Sequence, residues 1–159
     1  LVQMGQAIAA QGRLDEAIPF FEHAISTYPD VEEFYRTYGW VLMNARRFDQ
    51  AQAVFKTGLA TVPESGHLHF MVGYVLFLEK NWKGALEELE LAIRLSPGIG
   101  KPYYLASICR LQQGDEAGAL ASLDEYLKRD PDVDSVFKDP YFDTLRRRAD
   151  FREIIKKHL

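Results

Sequence analysis

The apolar positions of this chain repeat on two scales at once. Within short windows they recur every three or four residues, the spacing that lines one face of an α-helix. Along the whole chain the pattern returns every 34 residues. Gly5, Gly39 and Gly73 keep that step, with Ser107 in the fourth turn. Ala17, Ala51, Ala85 and Ala119 keep it too, and so do Pro29, Pro63, Pro97 and Pro131. Helical windows on a fixed long period predict a solenoid of helix pairs, each burying its neighbour's apolar face. First helices are expected near residues 1–11, 32–45, 66–79 and 100–113, and second helices near 15–28, 49–62, 83–96 and 116–129.

The breaks carry turn chemistry: Gly12, Asn81 and Gly114 inside repeats, the four prolines between them. Asp30 and Ser65 stand where they can cap the helices that follow. Pro19 falls near the start of a second helix, where a missing N–H does little harm. In the second repeat Tyr35, Tyr38, Gly39 and Leu42 share one stripe, and Ala51 and Phe55 lie on the stripe of the partner helix. The small Gly39 and Ala51 permit close approach, and a bulky replacement at either is expected to cost about 1–3 kcal/mol.

Three copies hold the same residue types in phase. They are Leu1, Met4-Gly5, Ile8, Ala17, Phe21, Ala24 and Pro29; Tyr35, Tyr38-Gly39, Leu42, Ala51, Phe55, Gly58 and Pro63; and His69, Val72-Gly73, Leu76, Ala85, Leu89, Ala92 and Pro97. Over about residues 1–131 the pattern resembles the tetratricopeptide repeat family. The resemblance implies an all-α, right-handed superhelical solenoid of antiparallel helix pairs. About eight repeat helices are expected, in repeats at about 1–29, 30–63, 64–97 and 98–131, the first truncated at its N-terminal side. The fourth copy drifts, with Ser107, Arg110 and Glu116 off pattern and Tyr126 in place of a small residue. A large ring there is expected to end the regular array under a cover of different shape. Residues 132–159 leave the pattern. Asp139-Pro140-Tyr141-Phe142, Leu145-Arg146 and Phe151 resemble a closing stretch found after such repeats in many bacterial proteins, which implies one or two capping helices; the opening Leu1-Val2-Gln3-Met4, already inside a repeat, is expected of a piece of a larger protein.

The first helices carry a second stripe, about a third of a turn from the packing stripe. The first repeat contributes Gln6 with the milder Val2, Ala9 and Ala10; the second Arg36, Trp40, Met43 and Asn44; the third Phe70, Tyr74, Phe77 and Leu78; the fourth Tyr104, Ile108, Leu111 and Gln112. The family resemblance implies that this stripe lines a concave groove where partner segments lie. Aromatic side chains supply large contact area at small entropic cost. A groove of Trp40, Phe70, Tyr74, Phe77, Tyr104, Ile108 and Leu111 therefore favours an apolar or aromatic-containing segment, with Gln6, Arg36, Asn44 and Lys101 to orient it. Simple packing between first helices, or filling of the groove by the chain's own tail, are the competing uses of the same residues.

Other chemistry is sparse. Some relatives in the family grip a terminal carboxylate in a cationic cage; the matching places here hold Val2, Gln6, Thr37, His67 and Met71 in one frame, and Arg36, Trp40, Met71, Lys101 and Leu105 in the other. Neither makes a cage. The asparagine that often grips peptide backbone is replaced by Gln6, Trp40, Tyr74 and Ile108. His67 and His69 are two apart, whereas a helical metal pair wants a spacing of four; structural or solvated histidines are expected, and no cofactor. Glu87, Glu88 and Glu90 read as the solvated face of a second helix.

Net charge is −4, too acidic for a nucleic-acid partner. It divides unevenly: residues 138–159 carry seven Lys/Arg against four Asp/Glu, and the rest of the chain nets −7. The lone Cys109 is expected to be buried and inert, independent of an oxidising compartment. The apolar run 70–78 is about half the length of a membrane span. A cytoplasmic setting fits these features. No catalytic motif appears. The expected function is a non-catalytic interaction module binding an apolar or aromatic segment in its groove, with a self-associating scaffold as the alternative.

Overall fold

The computed structural model describes residues 1–159, and every regular element is helical. Four helix pairs come first: α1 (Val2–Ala10) with α2 (Leu14–Thr27), α3 (Glu32–Asn44) with α4 (Phe48–Thr61), α5 (Gly66–Leu78) with α6 (Trp82–Leu95), and α7 (Lys101–Gln112) with α8 (Glu116–Arg129). Then follow α9 (Val133–Lys138), a 3-10 turn (Pro140–Phe142) and α10 (Ala149–Lys157). Successive first helices touch one another, whereas successive second helices make no comparable contact. A stack drawn tighter on one side curves toward it, so the first helices line the inner face.

Each pair is locked at one crossing. Phe21, Phe55, Leu89 and Leu123 are fully buried at the same phase of the second helices. Opposite Phe55 stands Gly39, where an added Cβ would lie 2.1 Å from the ring. In the fourth pair the smaller Leu123 leaves room for Ser107, whose hydroxyl donates to the Tyr104 carbonyl at 2.7 Å. In the third pair leucine stands opposite a retained glycine, Leu89 against Gly73, where an added Cβ would lie 3.0 Å from the leucine.

Neighbouring repeats are joined by a recurring bond. Tyr35 donates to the Pro29 carbonyl (2.9 Å) and Tyr103 to that of Pro97 (3.0 Å), while His69 Nε2 lies 3.2 Å from the carbonyl of Pro63. All three reach back six residues to a repeat-closing proline, so the prolines serve as acceptors as well as breaks. The Phe21 and Tyr38 rings stack at 5.0 Å across the first junction.

Several local expectations change. The left-handed residue of each intra-repeat turn falls at Gly12, Arg46, Lys80 and Gly114, with φ between 59° and 83°. The turn before α6 therefore rests on Lys80, while Asn81 is the N-cap and accepts from Gly84 N–H at 3.1 Å. Ser65 caps α5 by accepting from Leu68 N–H at 3.0 Å. Asp30 does not cap α3: Val31 takes that place, and Asp30 stands one residue too early. Pro19 lies inside α2 rather than near its start. It removes the bond that the Asp15 carbonyl would accept, on an exposed side of the helix where water serves instead. Glu88 and Glu90 are not wholly solvated: Glu88 accepts from His69 Nδ1 (2.7 Å) and Glu90 from Arg110 (2.9 Å), tying α6 to its neighbours. Cys109 is fully buried, and burial pushes its thiol up to about 12.

After α8 the chain folds back. Val136, Phe142, Leu145 and Phe151 are fully buried and belong to the same core as Leu123 and Leu127 of α8 and Ile108 of α7. Lys157 and His158 bond Asp124 of α8 at 3.0 and 2.7 Å, and Arg148 pairs with Glu116 at the start of α8. The Tyr126 ring packs 5.0 Å from Tyr104, and its hydroxyl donates to Asp130 at 3.1 Å. Burial and that carboxylate push the phenol up to about 12. No helix is long and apolar enough to cross a membrane.

Candidate functional site

The inner face divides into a covered part and an open part. Over α7 lies the 139–145 segment. Tyr104 donates to the Asp139 carboxylate, which also accepts from Tyr141 N–H at 2.8 Å, and the Phe142 ring sits 5.9 Å from that of Tyr104. Tyr141 reaches further, its ring 5.9 Å from Phe77 at the end of α5 and 6.3 Å from Trp82. Arg146 holds this stretch in shape by donating to the carbonyls of Phe137 and Asp139. Beside it a hollow of about 620 Å³ opens between Leu111, Glu116, Pro140 and Tyr141.

This arrangement redistributes the residues expected to line a groove. Ile108 is 1% exposed, and Phe77 is buried against Trp82 and Tyr141. Tyr104 is partly buried under the tail segment, and Leu111 stays partly exposed as a wall of the hollow beside it. Lys101 sits 5.5 Å above the Tyr104 ring. Met43 is buried for a different reason: one 100° step from the packing residue Leu42 leaves its flexible side chain inside the core of the first three repeats. Of these, Met43, Phe77 and Ile108 are buried and present no surface to a partner in this state, whereas Tyr104 and Leu111 keep part of theirs.

The open part runs across α1, α3 and α5. Trp40 is 47% exposed and stacks on Tyr74 at 6.4 Å, and Tyr74 stacks on Phe70 at 6.1 Å. Two hollows flank Trp40 along the α1–α3 seam. Toward the end of α3 lies one of about 510 Å³, walled by Ala9, Ala10, Leu14, Trp40, Val41 and Ala45, with Gln6 and Asn44 at its edge. Toward the start lies one of about 300 Å³, bounded by Gln6, Glu33, Arg36, Thr37, Trp40 and Met71. Arg36 leans toward Glu32 at 3.7 Å, leaving Glu33 without an ion-pair partner.

Of the stripe expected from the sequence, Gln6, Arg36, Trp40, Asn44, Phe70 and Tyr74 lie on this open part, together with Glu33, Leu14, Val41 and Ala45, which sequence reasoning did not include. The signal was present in the first repeat. Where later repeats carry Met43, Phe77 and Leu111, the first has Ala9, and the missing volume is the hollow.

A curved stack of helix pairs with one open inner channel is a solenoid scaffold, a class whose chemistry is recognition through surface. Two family models described as tetratricopeptide repeat match residues 9–69 and 103–132. The chain belongs to the tetratricopeptide repeat family, whose members are generally non-catalytic interaction modules. Among solved structures it is similar to a crystal structure of MamA (TM-score 0.77, 18% identity, covering 97% of this chain and 91% of that one). It is also similar to MamA of Desulfovibrio magneticus RS-1 (TM-score 0.67, 18% identity, 82% and 73% covered). A third likeness is to YrrB, described as a TPR protein with an unusual peptide-binding site (TM-score 0.73, 21% identity, 99% and 82% covered). At these identities the likeness is one of fold. No curated protein matches the chain.

Proposed function

We propose that this chain is a non-catalytic protein-interaction module, four repeats over residues 1–131 capped by residues 132–159. It holds an apolar segment of a partner protein on the open inner face of α1, α3 and α5. The observation that carries this reading is Trp40. A large ring left half-exposed between two hollows, on the part of the inner face that the tail leaves open, is the kind of anchor on which binding energy concentrates. The tail supports the chemistry: where the inner face is already occupied, over α7, its occupant is a proline and two aromatics. YrrB, a protein of like fold, is described as having a peptide-binding site.

The test is partner capture by the native chain and by a Trp40→Ala/Asn44→Ala variant with unchanged helical circular dichroism. A partner retained by the native chain and lost by the variant is the expected result. A partner held equally by both moves the site off this face and overturns the reading.

A further inference from the structure

The two hollows at Trp40 differ in chemistry, and their spacing says what can occupy both. They lie on either side of Trp40 along α3, one beside Arg36 and the other beside Asn44. Eight residues of helix rise about 12 Å. Both hollows are bounded by Gln6 of α1 and Trp40 of α3, the one beside Arg36 reaching Met71 of α5 as well, and neighbouring helices pack with axes about 8–10 Å apart. An extended chain lying along such a seam covers 12 Å in about four residues at roughly 3.3 Å each.

The hollow near Asn44 is walled by alanines, Leu14 and Val41, with room for one bulky aliphatic or aromatic side chain. The hollow near Arg36 is polar. Arg36 is directed to Glu32, and Glu33 faces the hollow with no cation of its own. The cation lining the hollow is Arg36, 3.7 Å from Glu32, and residues 1–137 as a whole net −7. Between the hollows, the Gln6 side chain borders both and the exposed Asn44 amide borders one. Amides offer a donor and an acceptor, which suits the peptide groups of a strand crossing Trp40.

Resting on the proposed function and narrowing it, we infer that the α1–α3 seam is a site for an extended partner segment with a bulky apolar residue and a Lys or Arg about four residues apart. The apolar side chain fills the alanine-walled hollow, the cation meets Glu33, and the backbone between them lies across Trp40 under the Gln6 and Asn44 amides.

The chain has two tryptophans, and the other, Trp82, lies against Phe77 and Tyr141 away from the seam. Two indole N–H signals in a nitrogen-15 NMR spectrum therefore report the site and an internal control. The probes are nine-residue acetylated, amidated peptides of serine and threonine, with leucine at one end of the central five and lysine at the other, in both orders. One order is expected to shift the Trp40 indole signal in a saturable way and leave that of Trp82 in place. Glutamate for the probe's lysine, or Glu33→Gln in the chain, is expected to weaken binding about 3–10-fold, as for a rim charge. Filling the hollow by Ala9→Leu is expected to abolish it. Because Ala9→Leu changes packing, Glu33→Gln, an exposed substitution, carries the same test without that risk. Equal binding of lysine and glutamate probes, or a response at Trp82 alone, overturns the inference. If partner capture still depends on Trp40, that failure is confined to the ligand chemistry; if capture is also indifferent to Trp40, the groove reading fails with it.

Discussion

α3 and α7 hold the same place in their repeats, yet their inner faces meet opposite surroundings. Trp40 on α3 is 47% exposed, while Ile108, at the same phase two repeats later, is 1% exposed. The helices do not differ in amphipathic pattern so much as in neighbours. α7 has Asp139, Tyr141 and Phe142 lying over it, and α3 has the alanine-rich face of α1 on one side and Tyr74 of α5 on the other, with nothing over it. The lesson is that one stripe serves two ends within one chain. At the C-terminal end it is core, filled in cis; toward the N-terminal end it remains surface. An array must hide its last apolar face from water, and here the tail does so from the inner side as well as the end.

The largest way to break this contrast is Phe142→Ala. Phe142 is fully buried between Tyr104 and Phe151, with ring centroids 5.9 and 6.3 Å away. Truncating a buried phenylalanine costs about 3–5 kcal/mol. If the tail is part of the core, urea denaturation of this variant should show a loss of that size in one cooperative transition. A loss under about 1 kcal/mol would mean that the tail rests on α7 without holding it.

How far the sequence reveals this contrast depends on the range of the signal. Helix bounds follow from local periodicity and capping, and all eight repeat helices fall within one residue of the expected ends. Tyr126 marked the end of the regular array, because a large ring replaces a small residue at a position that must admit a neighbour. What it could not convey was where the covering segment lies. The Tyr104–Asp139 bond spans 35 residues and joins a helix to a loop, and neither residue is unusual in its own window. Phe77, Ile108 and Leu111 therefore read as groove. Their covering, complete for Phe77 and Ile108 and partial for Leu111, depends on a partner inside the same chain, which periodicity does not report. The hollows at Trp40 were half legible: the alanines of the first repeat were visible as a milder stripe, but that mildness meant space rather than weakness.

A smaller effect tests the electrostatic fastening of the cap. Burial works against an ionised Asp124, but hydrogen bonds from His158 and Lys157 and the charges of Lys157 and Lys128 outweigh it and hold the carboxyl at about 2, against 3.8 for a free aspartate. A folded value below the unfolded one stabilises the fold fully above roughly pH 4, and that contribution is lost as pH falls toward 2. With solvent screening at a partly exposed site the contribution is about 1–2 kcal/mol. Asp124→Asn should therefore lower urea stability by that amount at pH 6, and the two proteins should converge near pH 2. A gap independent of pH would assign the loss to packing instead of charge.

The smallest expected effect on stability belongs to the residue expected to matter most for binding. Trp40 is as bulky as any side chain in the core, yet half of it already faces water, and its main contact is one stack on Tyr74. Trp40→Ala should cost about 1 kcal/mol, roughly half of an aromatic pair's packing and burial. Measured beside Phe142→Ala, it separates two aromatics on the same inner stripe by severalfold in stability. If both substitutions cost the same, Trp40 is core and the open seam is not a surface in solution. If Trp40→Ala is nearly silent in denaturation but removes partner binding, the division holds: the covered half of the inner face maintains the fold, and the open half keeps an aromatic in water that packing alone does not require.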